Sequence, residues 1–363
     1  MNSLFEPTTL AGITLQNRIV MAPLTRNRAD VLGVPKPFVR DYYAQRASAG
    51  LIISEGTQTS FAGQGYCRTP GIHTADQISA WKRVTDAVHA RGARMFMQFM
   101  HCGRIAHPLN RQVTDPPVAP SAVKPAGQMW TDQQQLQDYP TPRALDTAEL
   151  PALVEEFVTA ARNALEAGFD GVELHAANGY LLNQFLASNT NLRTDGYGTT
   201  VQGRIRFVVE VVAAVAAAIG ASRTAIRVSP GHMFNDLVDA NPLETHRALL
   251  DALPTASMAY VHVMLPDAFS PQLNNAGEPT AVLPSLRPHI KGALIAAGNL
   301  TAASAQAMLD SGLIQAAVFG RPFIANPDLI QRLQRGAPLA EPRADLFYTP
   351  GPEGYSDYPP LAA

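Results

Sequence analysis

The stretch from His175 to Tyr180, read His-Ala-Ala-Asn-Gly-Tyr, holds side chains that suit chemistry at a carbonyl group. His175 and Asn178 can each donate a hydrogen bond to one oxygen, and Tyr180 is a weak acid with an ordinary pKa of about 10. Two donors and a weak acid suit a reaction that builds negative charge on a carbonyl oxygen and then protonates the adjacent carbon. The same residue types also anchor loops after strands, so this stretch alone leaves a structural role open.

Short apolar runs of strand type alternate with longer helical patterns through nearly the whole chain. The strand candidates are residues 18–22, 51–55, 94–99, 171–174, 224–228, 259–263, 293–296 and 316–319. The helix candidates are residues 77–91, 147–167, 202–219, 242–253, 302–311 and 328–335. Apolar strands separated by helices indicate a parallel sheet covered by helices. Eight such units predict an α/β protein with a closed (β/α)8 TIM barrel, and no G-x-G-x-x-G follows the first strand to suggest a Rossmann fold.

One long segment, from about residue 100 to 145, interrupts this alternation after the third strand. It is rich in Pro and Gln and shows little helical periodicity. Insertions of this length in a barrel usually lie over the active site or are mobile. We therefore expect a lid-like capping excursion within a single domain that spans residues 1–363, with the Pro-rich tail from residue 337 onward running over the barrel surface.

Composition argues against several classes of partner and site. The net charge of -2 gives no electrostatic case for nucleic acid or an anionic membrane. The two cysteines, Cys67 and Cys102, have no metal-ligand, iron–sulfur or disulfide spacing, so no metal is expected and a reducing, cytoplasmic compartment is favoured. The start lacks the features of a signal peptide, and the longest apolar stretch, near residues 208–219, is shorter than the roughly 20 residues of a membrane span.

Polar and small residues follow the predicted strands at the barrel end where such folds carry their sites. Gly298 and Gly320 end strands seven and eight and would let backbone amides approach a phosphate that Arg321 can pair with. Arg227 lies in an apolar strand and must be paired or face a ligand. Gln98 can donate and accept at a heterocycle edge. Each has a structural alternative (turn glycine, internal salt bridge, core amide), but together they indicate a flat, polar-edged heterocycle attached to a phosphate.

These positions belong to motifs that resemble the Old Yellow Enzyme family of FMN-dependent ene-reductases over almost the whole chain. The motifs are NRIVMAPLTR at 17–26, SEGT at 54–57, QFMHCGR at 98–104, VELHAANGYLLNQF at 172–185, RTDGYG at 193–198, RVSP at 227–230, FGRPFIANP at 319–327 and EGYSDYP at 353–359. The resemblance implies an NAD(P)H-dependent flavin oxidoreductase. Its reaction would be reduction of the activated C=C bond of α,β-unsaturated carbonyl, maleimide or nitro compounds.

The resemblance also implies a tightly but non-covalently bound FMN, with NADPH or NADH as the reductant. Thr25 would donate to the flavin carbonyl beside the reactive nitrogen, Gln98 would bind the pyrimidine ring, and Arg227 would lie near the side that becomes negative on reduction. The full set of implied cofactor residues is Ala22, Pro23, Leu24, Thr25, Gly56, Gln98, Arg227, Ala297, Gly298, Asn299, Gly320 and Arg321.

For the substrate, the resemblance implies that His175 and Asn178 bind the carbonyl or nitro oxygen while Tyr180 protonates the α-carbon. Nicotinamide and alkene would share one place, which predicts ping-pong kinetics. Met100 and Cys102 stand where the family often has Trp and Thr, so a roomier pocket is expected. The implied pocket residues are Tyr66, Met100, His175, Asn178, Phe234, Phe269 and Tyr355.

Two other interpretations stay open. The chain could be another FMN-barrel dehydrogenase, of the dienoyl-CoA reductase or dihydroorotate dehydrogenase kind. The first usually carries a clustered-cysteine iron–sulfur site, which two distant cysteines cannot build, and the second would lack the His-x-x-Asn-x-Tyr arrangement. The chain could also bind flavin without turnover of its own, although Tyr180 argues against this. Its partners are expected to be small activated alkenes and nicotinamide, with the protein a monomer or weak homo-oligomer.

Overall fold

The computed structural model describes residues 3–266 and 282–361, and within them a closed barrel of eight parallel strands forms the centre. The barrel strands β1 to β8 are Ile19–Met21, Leu51–Ile53, Arg94–Phe99, Gly171–Ala176, Thr224–Val228, Val261–Met264, Leu294–Ala297 and Ala316–Phe319. Pairing of β8 with β1, which sets Val318 opposite Val20, closes the barrel. The predicted TIM-barrel fold is confirmed, and each predicted strand has a counterpart within a few residues.

Helices lie between the strands on the outside of the barrel. They are Pro37–Gln45 (α1), Ala75–His89 (α2), Leu150–Glu166 (α3), Leu181–Leu186 (α4), Val201–Ile219 (α5), Pro242–Ala252 (α6), Val282–Leu286 (α7), Ala302–Asp310 (α8), Arg321–Ala325 (α9) and Leu329–Arg335 (α10). Local sequence fixes where α2 starts: the Thr74 hydroxyl accepts from the Gln77 N–H, and the Gln77 side chain accepts from the Thr74 N–H.

The barrel strands divide their side chains between two cores, because successive residues of a strand point to opposite faces. Val172 and Leu174 of β4 face outward and join the large core formed with the helices. Val20, Phe96 and Ile295 belong to a second buried cluster that fills the barrel interior. Close to the carboxyl ends of the strands the interior becomes polar, with buried residues such as Gln98, His175 and Arg227.

The segment after β3 folds into short paired strands that the sequence did not predict. Val118–Ala119 pairs with Arg143–Ala144, and Gln128–Trp130 forms an antiparallel hairpin with Leu136–Asp138. The buried Arg104 donates hydrogen bonds to the carbonyls of Val123 in this segment and of Asn235 and Asp236 in the loop after β5. These bonds connect the excursion to the carboxyl-terminal end of the barrel. Its lid-like action, and the single-domain organisation of the whole chain, stay predictions.

The C-terminal tail packs into the fold through two buried arginines. Arg28 donates to the carbonyls of Leu346 and Phe347, while Arg26 donates to that of Gly354. Because both arginines follow β1, these bonds draw the tail to the carboxyl-terminal end of the barrel.

Residues 3–266 and 282–361 contain neither a membrane-spanning helix nor a cluster of metal-ligating side chains. No helix there is both long and apolar enough to cross a membrane. No group of three or more His, Cys, Asp or Glu side chains there is arranged to hold a metal ion.

Candidate active site

A cavity of about 740 Å³ opens at the carboxyl ends of the barrel strands. Residues that follow β1 and β8, the loops after β2 and β5, the excursion hairpin and the tail all contribute to its wall. Among the residues that line it are Pro23, Leu24, Thr25, Tyr66, Met129, Trp130, Tyr139, Tyr180, Phe234, Arg321 and Tyr348. This is the location that the barrel fold predicts for a site.

His175 lies in β4 itself, because that strand continues to Ala176 rather than ending at Leu174 as the sequence suggested. Its neighbour across the sheet is Arg227 of β5. His175 is only 5% exposed, and its Nδ1 has no hydrogen-bond partner among the described residues. Burial and the positive charge of Arg227 hold the pKa of His175 well below its usual value. The imidazole is therefore neutral near pH 7 and has one N–H available for a ligand oxygen.

The turn after β4 holds Asn178 through its backbone. Asn178 has a left-handed φ of 56°, its N–H donates to Ser229 Oγ at 2.9 Å, and its carbonyl accepts from Asn235 Nδ2 at 2.8 Å. Gly179 follows with φ 81°, and a Cβ there would lie 2.7 Å from the carbonyl oxygen of Phe234. The turn therefore requires glycine, and these bonds fix its shape without using the side-chain amide of Asn178.

Tyr180 places its hydroxyl beside both the cavity and a second tyrosine. Its oxygen lies 3.0 Å from that of Tyr66, and its ring meets the His175 ring edge-on with centroids 4.9 Å apart. Burial is the main cause of a raised pKa for Tyr180. The phenol therefore keeps its proton at neutral pH until a strong base, such as a carbanion, takes it.

The predicted cofactor residues inside the barrel are buried and polar. Arg227 is 8% exposed, donates a long 3.4 Å hydrogen bond to Met264 Sδ, and has an Nε–H with no partner among the described residues. Gln98 donates from Nε2 to Glu173 Oε1 at 2.7 Å. Burying a guanidinium with an unpaired N–H group costs free energy unless a ligand supplies the missing acceptor. The unused donor of Arg227 therefore suits the acceptor edge of a bound ring.

Glycines follow three of the barrel strands, and two of these glycines lie in close contact with neighbouring side chains. A Cβ on Gly56 would lie 2.6 Å from Met100 Sδ, and one on Gly298 would lie 2.6 Å from Leu265 Cβ. A Cβ on Gly320 would meet nothing closer than 3.6 Å, so that position is open rather than crowded. Because β7 pairs with β8, the Gly298–Asn299 and Gly320–Arg321 pairs end neighbouring strands, and the exposed Arg321 lines the cavity. The role of Gly298, Asn299, Gly320 and Arg321 in binding the phosphate of FMN stays a prediction.

The structure places the other predicted residues as follows. Tyr66 and Phe234 line the cavity, together with Pro23, Leu24 and Thr25. Met100 is buried and is not among the residues that line the cavity; it lies in an apolar cluster with Tyr180 and Cys102, against which Tyr66 packs. Ala22 and Ala297 are buried at the ends of β1 and β7. Phe269 lies outside the described residues.

The prediction for Tyr355 is wrong. Its ring is fully buried and stacks on Tyr42 of α1 with centroids 3.9 Å apart, while the guanidiniums of Arg26 and Arg28 lie over its face at 5.2 and 4.9 Å. Stacking and cation–π contacts hold its ring against α1, and it is not among the residues that line the cavity. Tyr348, which is 64% exposed, lines the cavity from the same tail.

Sequence reasoning also missed Met129, Trp130 and Tyr139 of the excursion, which line the cavity. Their apolar and aromatic character within a polar segment was the one available signal. Nothing in the sequence distinguishes Tyr348 from Tyr355 as the residue that faces the cavity, because only the packing of the tail decides it.

Comparison with known proteins identifies relatives along nearly the whole chain. Residues 3–340 match the NADH:flavin oxidoreductase / NADH oxidase family. A probable flavin mononucleotide-dependent alkene reductase of Leishmania infantum is 40% identical over 360 residues, covering 98% of this chain and 97% of that protein.

Two solved structures are also similar over 99% of this chain. Morphinone reductase in complex with tetrahydroNAD has a TM-score of 0.92 at 45% identity, with 98% of its chain covered. The old yellow enzyme homologue of Zymomonas mobilis has a TM-score of 0.91 at 41% identity, with 100% covered.

These matches confirm the resemblance drawn from the motifs, together with the FMN cofactor, the nicotinamide reductant and the enzyme class. The chain therefore belongs to the NADH:flavin oxidoreductase / NADH oxidase family, as an FMN-dependent NAD(P)H ene-reductase of the Old Yellow Enzyme type.

Proposed function

We propose that the chain reduces activated alkenes, namely α,β-unsaturated carbonyl, maleimide and nitro compounds, with Tyr180 as the proton donor. His175 and Asn178 bind the substrate oxygen. The chemistry that bound FMN supplies is hydride transfer, with NAD(P)H as the hydride source. The observation that carries the proposal is the edge-on contact of the buried, neutral His175 with Tyr180, which brings a donor next to an acid whose side chain lines the cavity.

His175 and Asn178 act on the charge that builds up on the substrate oxygen. A neutral imidazole donates without giving up its proton, and the amide of Asn178 supplies a second donor from the rigid turn after β4. Removing one comparable donor in oxyanion sites costs about 3 kcal/mol of transition-state stabilisation. The positive charge of Arg227, next to His175 in the sheet, favours the same negative charge.

Tyr180 delivers the proton to the α-carbon. Its raised pKa keeps the proton in place until the carbon becomes basic, and the neighbouring hydroxyl of Tyr66 can donate to the phenolate oxygen as the proton leaves. The new C–H bond forms as the Tyr180 O–H bond breaks. Water at the open mouth of the cavity then restores the proton.

For FMN, we propose contacts at both ends of the cofactor. Thr25, Gly56, Gln98 and Arg227 would bind the ring, supported by the unused Nε–H of the buried Arg227. Ala22, Pro23, Leu24 and Ala297 would supply close backbone surface. The residues proposed to hold the phosphate are Gly298, Asn299, Gly320 and Arg321.

The pocket walls that we propose for substrate are Tyr66, Met100 and Phe234, with Tyr348 replacing Tyr355. We propose that residues 100–145 cap the cavity within one domain, supported by the bonds from Arg104 that connect this segment to the loop after β5. A monomer or weak homo-oligomer in the cytoplasm is also proposed. The compartment is supported by Cys67 and Cys102, which are buried and unpaired.

The experiment that tests this function is anaerobic stopped-flow on the two half-reactions. Flavin reduction is measured with NADPH and NADH, and reoxidation is measured with a panel of cyclic enones, maleimides and nitroalkenes. Because nicotinamide and alkene occupy the same cavity in turn, steady-state double-reciprocal plots should be parallel. Intersecting lines would contradict the proposal. So would a reduced flavin that oxygen reoxidises but that no alkene in the panel reoxidises.

A further inference from the structure

A buried carboxylate, Glu173, lies inside the barrel one layer below His175. The two residues are separated by one position in β4, so both face the interior. Glu173 is 0% exposed and has a hydrogen bond to each oxygen. Gln98 Nε2 donates to Oε1 at 2.7 Å, and His262 Nδ1 lies 2.8 Å from Oε2. These hydrogen bonds allow the carboxylate to be buried, because the free-energy cost of burying an unpaired charge would be too large.

Glu173 decides which way the amide of Gln98 points. An ionised carboxylate only accepts hydrogen bonds, so the amide end that faces it must be the Nε2 donor. The carbonyl end of Gln98 is then presented to whatever lies on its other side. Register supports a fixed arrangement, because Glu173 and Gln98 are direct partners in the pairing of β4 with β3. A ligand edge that offers an N–H suits this orientation, whereas one that offers an acceptor does not.

Glu173 also balances the charge of Arg227. Burial lowers the pKa of Arg227, and the negative charge of Glu173 is the main influence that opposes this. His262 adds no second positive charge beside Glu173, because burial lowers its pKa and favours the neutral imidazole. Below the ring site the interior therefore holds one negative and one positive charge, on adjacent strands β4 and β5.

We propose that Glu173 is a positioning residue for FMN: it turns the carbonyl of Gln98 toward the flavin pyrimidine edge and sets the net charge felt by the ring through Arg227. This inference rests on the proposed contacts of Gln98 and Arg227 with FMN. It separates into a hydrogen-bonding role and a charge role, and two variants distinguish them.

Glu173→Gln keeps the shape and the hydrogen bonds. The new carbonyl can accept from Gln98, and the new amide can donate to His262 in its other tautomer. The negative charge disappears, so the site becomes more favourable for the negatively charged reduced flavin. We expect affinity for oxidised FMN to change less than threefold, while the ratio of affinities for reduced over oxidised FMN rises about tenfold. This tenfold change in the ratio corresponds to a midpoint potential that is about 30 mV more positive for a two-electron couple.

Glu173→Leu removes the acceptor as well as the charge. Gln98 then loses its fixed orientation, and we expect the dissociation constant of oxidised FMN to rise at least tenfold. Apoprotein is reconstituted with FMN and followed by quenching of flavin fluorescence. The midpoint potential is measured by equilibration with a redox dye, and circular dichroism reports folding. The matched control is Asp328→Asn, which removes a buried carboxylate paired with Arg332 outside the barrel and should leave the potential unchanged.

Gln98→Leu and Arg227→Lys test the underlying contacts directly. If both weaken FMN binding while Glu173→Gln leaves the potential unchanged, the inference about Glu173 is overturned and the proposed function stands. If neither changes FMN binding, the proposed contacts fail and the inference fails with them. A positive shift in Glu173→Gln that is absent in Asp328→Asn supports the inference, even if Glu173→Leu does not fold.

Discussion

The hydroxyl oxygens of Tyr66 and Tyr180 lie 3.0 Å apart, although the two residues come from loops after different strands, β2 and β4. Their rings meet edge-on with centroids 6.2 Å apart. One hydroxyl must donate to the other, and the pair lies at the cavity wall. The geometry allows Tyr66 to donate to Tyr180 at the moment when Tyr180 loses its proton to substrate.

Tyr180→Phe should separate the two half-reactions. Removal of a positioned general acid costs about 10²- to 10⁴-fold, so flavin reoxidation by 2-cyclohexenone should slow by that order. Flavin reduction by NAD(P)H needs no proton from Tyr180 and should change little. Stopped-flow absorbance measures both rates. Tyr197→Phe, which removes a hydroxyl bonded to Glu210 on α5, is the control. Equal loss in both half-reactions would remove the assignment of Tyr180 as the acid.

Tyr66→Phe should have a smaller effect confined to the same half-reaction. The variant removes one hydrogen bond to the Tyr180 oxygen, and such a bond contributes about 0.5 to 1.5 kcal/mol. Reoxidation by an enone should therefore slow by about twofold to tenfold, while reduction by NAD(P)H stays the same. Single-turnover reoxidation rates check this. A loss as large as that of Tyr180→Phe would show that Tyr66 does more than support the donor.

Met100→Trp should change the facial selectivity of reduction. Met100 is buried against Gly56 and belongs to the apolar cluster that includes Tyr66 and Tyr180. A larger, rigid ring in place of the adaptable thioether must displace these neighbours or project toward the cavity. Chiral chromatography of products from a prochiral substituted enone, with a substrate panel beside it, measures the change. Unchanged stereochemistry and substrate range would mean that Met100 is packing alone.

Gly298→Ala should weaken FMN binding and the fold together. The new Cβ would lie 2.6 Å from Leu265 Cβ at a φ of 140°, so β6 and β7 must separate or the backbone must move. We expect a loss of about 1 to 3 kcal/mol in the free energy of unfolding. Gly312→Ala is the matched control, since Gly312 also has positive φ (70°) but open space around it. Denaturant unfolding and FMN titration compare the two, and equal effects would remove the role of close packing at Gly298.

Much of the fold follows from the sequence because a parallel barrel buries both faces of its strands. Apolar runs such as Thr224–Val228 and Ala316–Phe319 therefore stand out between amphipathic helices. The end of β4 is harder to predict from the sequence, because His175 is a polar residue next to the end of a buried strand. The sequence does not predict the excursion hairpin, because strands of three residues such as Gln128–Trp130 are too short to show a period in the sequence.

Because one motif sets His175, Asn178 and Tyr180 on one short segment, the sequence predicts that they lie near one another, and the structure has the His175 and Tyr180 rings in contact. Their roles in the reaction stay predictions. Long-range packing was not predictable. Whether Tyr348 or Tyr355 faces the cavity depends on the stacking of Tyr355 upon Tyr42, more than 300 positions away along the chain. Likewise, the contact between Tyr66 and Tyr180 depends on how two loops meet above the barrel.

In the proposed function, a hydride passes from nicotinamide to an activated alkene through FMN bound at the carboxyl ends of the barrel strands. The most direct measurement is an anaerobic absorbance titration of the purified, FMN-loaded protein. One equivalent of NADPH or NADH should bleach the flavin band, and 2-cyclohexenone or N-ethylmaleimide should then restore it. A protein that takes up no FMN, or whose reduced flavin is unaffected by any activated alkene, would contradict the account.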